Sequence, residues 1–191
     1  MPSLDPQTTV LVLIDLQQGI VPLAKAPYDG AAVLRQARRL ADAFRGRKAL
    51  VVRVKVGWSA DGADRLKQPS DQPNAGGDLP ANWLDDPAQL PSEPGDLPIL
   101  KRQWNAFHGT ELDLQLRRRG IRTIVIGGIS TPFGVEGTAR AAWELGYELV
   151  FPEDLSSAGD EAVHRNSMEK ILPRMGRVRT VDEVLKDLGP A

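Results

Sequence analysis

The chain has 191 residues, 41% hydrophobic and 26% charged, with a net charge of −1, which fits one globular domain (1–191) with a substantial core and gives no footing for nucleic acid or an anionic membrane surface. No apolar stretch approaches the roughly 18 residues of a transmembrane helix, and Met1-Pro2-Ser3-Leu4-Asp5-Pro6 lacks the basic and apolar regions of a signal peptide. Without a single cysteine, disulfides, thiolate metal sites and thiol catalysis are all excluded, and a cytoplasmic location is expected.

Thr9 to Asp15 is a continuous apolar, β-branched run ending in an acid, the pattern of a strand buried on both faces of a parallel sheet. Asp29 is placed to cap a helix from Gly30 to Arg45, with Ala32, Leu34, Ala37, Leu40, Ala41 and Phe44 inward and Gly46 as its C′ glycine. Ala49 to Val56 is a second strand. Residues 57–98 then break the rhythm, with seven of the fifteen prolines and five glycines. A connection of that length is usually functional or disordered, and Trp58 and Trp83 argue for order. The segment is expected to cover the active site or an oligomer interface.

The alternation then resumes. Leu97 to Lys101 is a strand, and Thr110 can cap a helix over Glu111 to Arg119 that Gly120 ends. Thr123 to Gly127 is a strand, and Val135 to Leu145 a helix stopped by Gly146, with Val135, Thr138, Ala139, Ala142 and Leu145 on one face. Glu148 to Pro152 is a strand and Asp160 to Leu172 a helix. Arg177 to Arg179 is a short strand, followed by a helix from Val181 to Leu188 capped by Thr180. The pattern predicts a three-layer α/β/α domain with a mostly parallel, six-stranded Rossmann-like sheet.

Ligands of such sheets gather outside the carboxyl ends of the strands. Asp15 ends the first strand, Lys101 the third, and Gly134 follows the fourth. A desolvated acid at a strand end has a raised pKa and suits proton transfer; capping the next turn is the alternative. Lys101 alone reads more readily as a strand-end cation reaching solvent, but beside Asp15 it would hold the carboxylate through a charge-assisted contact. The turn Gly127-Gly128-Ile129-Ser130-Thr131-Pro132-Phe133-Gly134 leads from strand into helix, a geometry that can aim backbone N–H groups at an anion. Trp104 and Phe107 are candidate pocket walls, with core packing as the competing role. Arg102 could meet a carboxylate, and Gln68 and Gln72 could contact a ligand. His108 and His164 are too far apart in sequence to suggest a metal site.

Taken together these motifs resemble the isochorismatase-like hydrolase superfamily, which includes nicotinamidases and N-carbamoylsarcosine amidases. The matching residues are Asp15 with Gln17; Lys101 with Phe107, Gly109 and Thr110; Thr131, Val135, Thr138, Ala139 and Arg140; Glu144, Leu145, Gly146 and Tyr147; and Asp154. Thiol members of that superfamily use an Asp–Lys–Cys triad, and the resemblance implies that Asp15, Lys101 and Gly134 occupy its positions, with glycine in place of the nucleophile. True isochorismatases also lack that cysteine. They cleave the vinyl ether of isochorismate by protonating the enolpyruvyl methylene carbon and adding water, with the Asp as the proposed acid. The resemblance also implies a cis peptide at Ile129–Ser130 with Thr131–Pro132 trans, and a substrate pocket formed by Gln17, Trp104, Phe107, Ile129, Ser130, Thr131 and Phe133.

Metal-binding relatives carry Asp-x-His after the second strand, where this chain reads Arg53-Val54-Lys55-Val56-Gly57-Trp58. No metal and no cofactor are therefore expected. The partners implied are a small-molecule substrate and further copies of the chain. Two functions follow: a non-thiol hydrolase acting on a vinyl ether or similar small metabolite, or a catalytically silent member that binds a small molecule or serves as an oligomeric module.

Overall fold

The structure, a computed structural model, describes residues 4–72 and 79–189. Its centre is a six-stranded sheet, every pairing parallel, in the order β3-β2-β1-β4-β5-β6. The strands are β1 (Thr9–Ile14), β2 (Leu50–Val56), β3 (Leu97–Lys101), β4 (Thr123–Gly128), β5 (Glu148–Pro152) and β6 (Arg177–Arg179). The helices are α1 (Gly30–Gly46), α2 (Leu112–Arg118), α3 (Glu136–Glu144), α4 (Glu161–Asn166) and α5 (Val181–Asp187). The three-layer α/β/α architecture is as expected from the alternating pattern.

β1 is apolar throughout because helices cover both of its faces. Leu11 and Leu13 join Val51, Val125 and Val150 under α1 and α5, while Val10, Val12 and Ile14 join Val52, Val54, Ile124 and Ile126 under α2 and α3. The chain winds outward from β1 to β3, then returns to pair β4 beside β1 and winds outward to β6. The order therefore reverses between β1 and β4, and a crevice opens at such a reversal, beyond the carboxyl ends of the two strands.

Local boundaries differ from the sequence expectations in a few places. α1 is capped by the Asp29 carboxylate, which accepts from the Ala32 amide at 2.7 Å, but Val33 rather than Ala32 joins the core. Gly46 remains helical, and the left-handed residue beyond the helix is Lys48, with φ +57°. The helix expected over Val135 to Leu145 begins with a wide π-helical turn, Thr131–Val135, and Leu145 lies exposed. The helix expected from Asp160 to Leu172 is α4 followed by a π turn (Ser167–Ile171) and a 3₁₀ turn (Leu172–Arg174). Pro173 supplies no amide to continue a regular helix. The cis Ala26–Pro27 bond was not anticipated.

The described part of the Pro/Gly-rich excursion is fastened to the sheet. Trp83 Nε1 donates to the Val56 carbonyl at 2.7 Å, Trp58 Nε1 donates to the Arg102 carbonyl at 2.8 Å, and the two indoles lie 6.1 Å apart. Leu90 is fully buried, and Asp86 pairs with both Arg53 (3.1 Å) and Lys55 (2.8 Å). Both tryptophans thus pack in order at the carboxyl end of β2. No helix among the described residues is long and apolar enough to cross a membrane.

Candidate active site

Asp15 is the first residue beyond β1. Its amide still donates to Val54 at 2.9 Å, and its φ of +54° turns the chain away from the sheet. Lys101, the last residue of β3, is 1% exposed, and its long stem reaches past the end of β2 to set Nζ 2.7 Å from Asp15 Oδ2. Two residues 86 positions apart thus form one buried pair because the topology aligns their strand ends.

The electrostatics of the pair are unequal. Burial pushes the Asp15 carboxyl up from 3.8 to about 6, against the opposing pull of Lys101. Asp15 Oδ1 is buried and has no hydrogen-bond partner among the described residues. A carboxyl poised near neutrality, with one oxygen held by a cation and the other uncommitted, is equipped to give up and recover a proton.

Gly134 packs directly against this acid. A Cβ at that position would fall 3.2 Å from Asp15 Oδ2 and 2.8 Å from Ile14 Cγ2, closer than real Cβ atoms approach a carbon. The Ile129–Ser130 peptide is cis, and Thr131–Pro132 is trans. The turn offers fewer free donors than its sequence suggests. Ile129 N donates to Ile14 O, Thr131 N to Ser157 O, and Phe133 N and Val135 N both to Ser130 O. Any oxyanion site on this turn is therefore limited to the amides of Ser130 and Gly134.

The other expected pocket residues separate into two groups. Phe133 and Trp104 lie together on the surface, 47% and 59% exposed, with ring centroids 4.7 Å apart; Ser130, three residues before Phe133, is half-buried. Ile129 and Thr131 are buried in the turn, where they position the backbone. Phe107 stacks on Tyr147 at 5.8 Å in the layer under α2 and α3, so packing takes it away from the strand ends. Gln17 is fully buried, and its amide is committed to the main chain: Nε2 donates to Val56 O and Trp83 O, and Oε1 accepts from Val56 N. It fastens the excursion to β2 and has no group left for a ligand. Arg102 is likewise engaged, by Gly57 O and Asp64, while Gln68, Gln72 and His108 are exposed.

Residues 9–183 match the family model of the isochorismatase domain. The chain belongs to the isochorismatase family. It is 53% identical over 188 residues to the uncharacterized isochorismatase family protein YecD of Escherichia coli O157:H7, a match covering 98% of this chain and 100% of that one. It is 30% identical over 214 residues to the ureidoacrylate amidohydrolase RutB of Variovorax paradoxus (strain S110), covering 99% and 84%. Among solved structures, an isochorismatase family protein from Burkholderia thailandensis superposes with a TM-score of 0.94 at 41% identity, each chain covered in full.

Two features near the site were not legible in advance. The γ-methyl of Ile14 occupies the space beside Gly134. His164 is fully buried between Thr131 and Glu153. Neither belongs to a local spacing that points to it, since each contact joins segments remote in sequence. Among the described residues no three His, Asp or Glu side chains are gathered as metal ligands.

Proposed function

We propose that this member of the isochorismatase family is a hydrolase of a small metabolite, a vinyl ether or a similar compound, that works without a protein nucleophile. Asp15 serves as general acid and base, and water is the attacking group. The observation that carries the reading is the buried Asp15–Lys101 pair, 2.7 Å apart, its carboxyl raised to about 6, in a chain with no cysteine. The amidohydrolase RutB, among the relatives, supports a hydrolytic class. Gly134 takes the place of the thiol beside the carboxylate.

For an enol ether the steps balance. Protonated Asp15 delivers its proton to the methylene carbon, and the C=C pair forms the new C–H bond, leaving an oxocarbenium centre. Water adds there and returns a proton to the Asp15 carboxylate, which Lys101 stabilises. The resulting hemiketal collapses to a ketone and an alcohol. Phe133 and Trp104 form the exposed aromatic wall of the entrance in this reading. Homo-oligomerisation is part of the proposal too, and sedimentation tests it.

Asp15→Asn keeps the size of the side chain and removes its proton chemistry. Its kcat/KM over a set of vinyl ethers, amides and esters is expected to fall by about 10²–10⁴ with the fold retained. Undiminished turnover in that variant sinks the mechanism. Ligand binding by the unaltered protein with no turnover of any member of the set would favour the silent-binder reading.

A further inference from the structure

His164 lies on α4, fully buried, outside the acid–lysine pair. Its Nδ1 is 2.8 Å from Thr131 Oγ1 and its Nε2 is 3.2 Å from Glu153 Oε1. Glu153 Oε2 in turn accepts from the Tyr28 hydroxyl at 2.7 Å, and the Tyr28 ring stands edge-on to the imidazole. A nitrogen facing a carboxylate carries a proton, so Nε2–H donates to Glu153, and the single hydroxyl proton of Thr131 is divided between His164 Nδ1 and Ser157 O. The order hydroxyl, imidazole, carboxylate is that of a nucleophile-activating chain. Thr131 is 0% exposed, however, so its oxygen has no approach to a substrate and the chain must act through position.

What it positions is the turn. Thr131 N and Oγ1 both reach Ser157 O, at 3.0 and 3.1 Å. Ser157 N donates to Gly128 O, and Ser156 Oγ accepts from Gly128 N. Ser157 Oγ shares its one proton between Ala26 O and Tyr28 O. The two ends of the same turn meet the end of β1, Ile129 N donating to Ile14 O and Gly134 packing against Asp15. We propose that the Glu153–His164–Thr131 chain seats the 129–134 turn over Asp15 and so excludes water from its carboxyl, making His164 a positioning residue for the acid. This rests on Asp15 being the group that matters in the site.

The charged and titratable groups around the two ends are few. Lys101 faces Asp15. Glu153 and Tyr28 face His164 from the neighbouring elements, and Arg165 adjoins it on its own helix. The His164 hydrogen bond is the chief reason Glu153 is held below the ordinary carboxylate value. Burial is the chief reason Asp15 is raised, so loosening the turn lets water in and brings Asp15 down.

The test titrates Asp15 in the full-length protein by ¹³C-carboxyl NMR, its resonance assigned by its loss in Asp15→Asn. The unaltered chain is expected to show a midpoint of about 6, and Thr131→Val and His164→Gln to move it toward 3.8 while remaining folded. His164→Asn, whose amide reaches the Nδ1 position, is expected to retain the midpoint. A general loss of stability does not alter a midpoint read in the folded state, so the shift separates positioning from bulk support. An unmoved midpoint in both Thr131→Val and His164→Gln overturns the proposal, as does His164→Asn behaving like His164→Gln. Should His164→Gln fail to fold, Thr131→Val carries the test, since it removes one hydroxyl only. The measurement uses no substrate, so turnover by Asp15→Asn would refute the acid role and leave this result standing.

Discussion

Replacing Lys101 with methionine isolates the electrostatics of the site. Methionine fills a similar volume without charge, so packing around the fully buried stem is largely kept. In the unaltered protein the Asp15 carboxyl lies at about 6 against 3.8 when free, so between those values the folded state holds a proton that the unfolded chain has released. Stability therefore falls as pH rises through that window and levels off above it. From 3.8 to about 6, at about 1.4 kcal/mol per pH unit, the fall amounts to about 3 kcal/mol. Lys101→Met removes the influence that lowers the Asp15 value and leaves the burial that raises it. The fall then continues beyond pH 6, so the stability difference between the two proteins should widen as pH rises above 6, at up to about 1.4 kcal/mol per pH unit while Asp15 of the variant stays protonated in the folded state. Urea denaturation midpoints measured from pH 4 to 8 read it directly. A difference that does not vary with pH refutes the coupling of Lys101 to a buried Asp15.

Gly134→Ala places a methyl 2.8 Å from Ile14 Cγ2, on a stiff, fully buried β-branched neighbour. It should cost about 1–3 kcal/mol by overpacking, and thermal unfolding checks this; an unchanged midpoint means the turn relaxes freely. Gln17→Leu strands the Val56 amide, while the Val56 and Trp83 carbonyls keep Trp83 Nε1 and Gly19 N as donors. It should destabilise by about 1–3 kcal/mol, the usual cost of one buried polar group left unpaired. The excursion should also become more susceptible to trypsin at Arg65 and Lys67, and unchanged cleavage would show that Trp58 and Trp83 hold it without Gln17.

What the sequence made legible was periodic or terminal. The unbroken apolar run of β1 announced a strand covered on both sides, and Asp29 and Thr180 announced helix starts that both proved to be capped. Asp15 and Lys101 stood out because a charge terminating a buried strand is placed where parallel sheets gather ligands. Gln17 and Phe107 came through the family pattern, and their positions in that pattern could not say what their side chains touch. Gln17 turned inward because Val56 and Trp83, 39 and 66 residues away, present backbone groups that need partners. His164 was read against metal spacing and dismissed, although a buried imidazole needs only two hydrogen-bonding neighbours. Those came from Thr131 and Glu153, on other elements. Contacts of this kind are set by the closing of the sheet and leave no local period.

Two costs to folding meet at Asp15. A non-glycine residue at φ +54° occupies a sparsely populated region, though aspartate tolerates it better than most. A carboxyl that is 5% exposed, with one oxygen unpartnered, opposes folding at neutral pH. Neither is required by the sheet: β1 ends at Ile14, and the helical layers close over the core without that carboxylate. An asparagine or glycine would accept the same backbone at less cost. The surroundings nonetheless enforce the arrangement, with Lys101 on one oxygen, the turn at Gly134 against it and the Val54 carbonyl on its amide. A cation from the end of β3 and the turn after β4 converging on one unfavourable residue are difficult to explain as packing. They are what a site needs to keep an acid dry, oriented and within reach of neutrality.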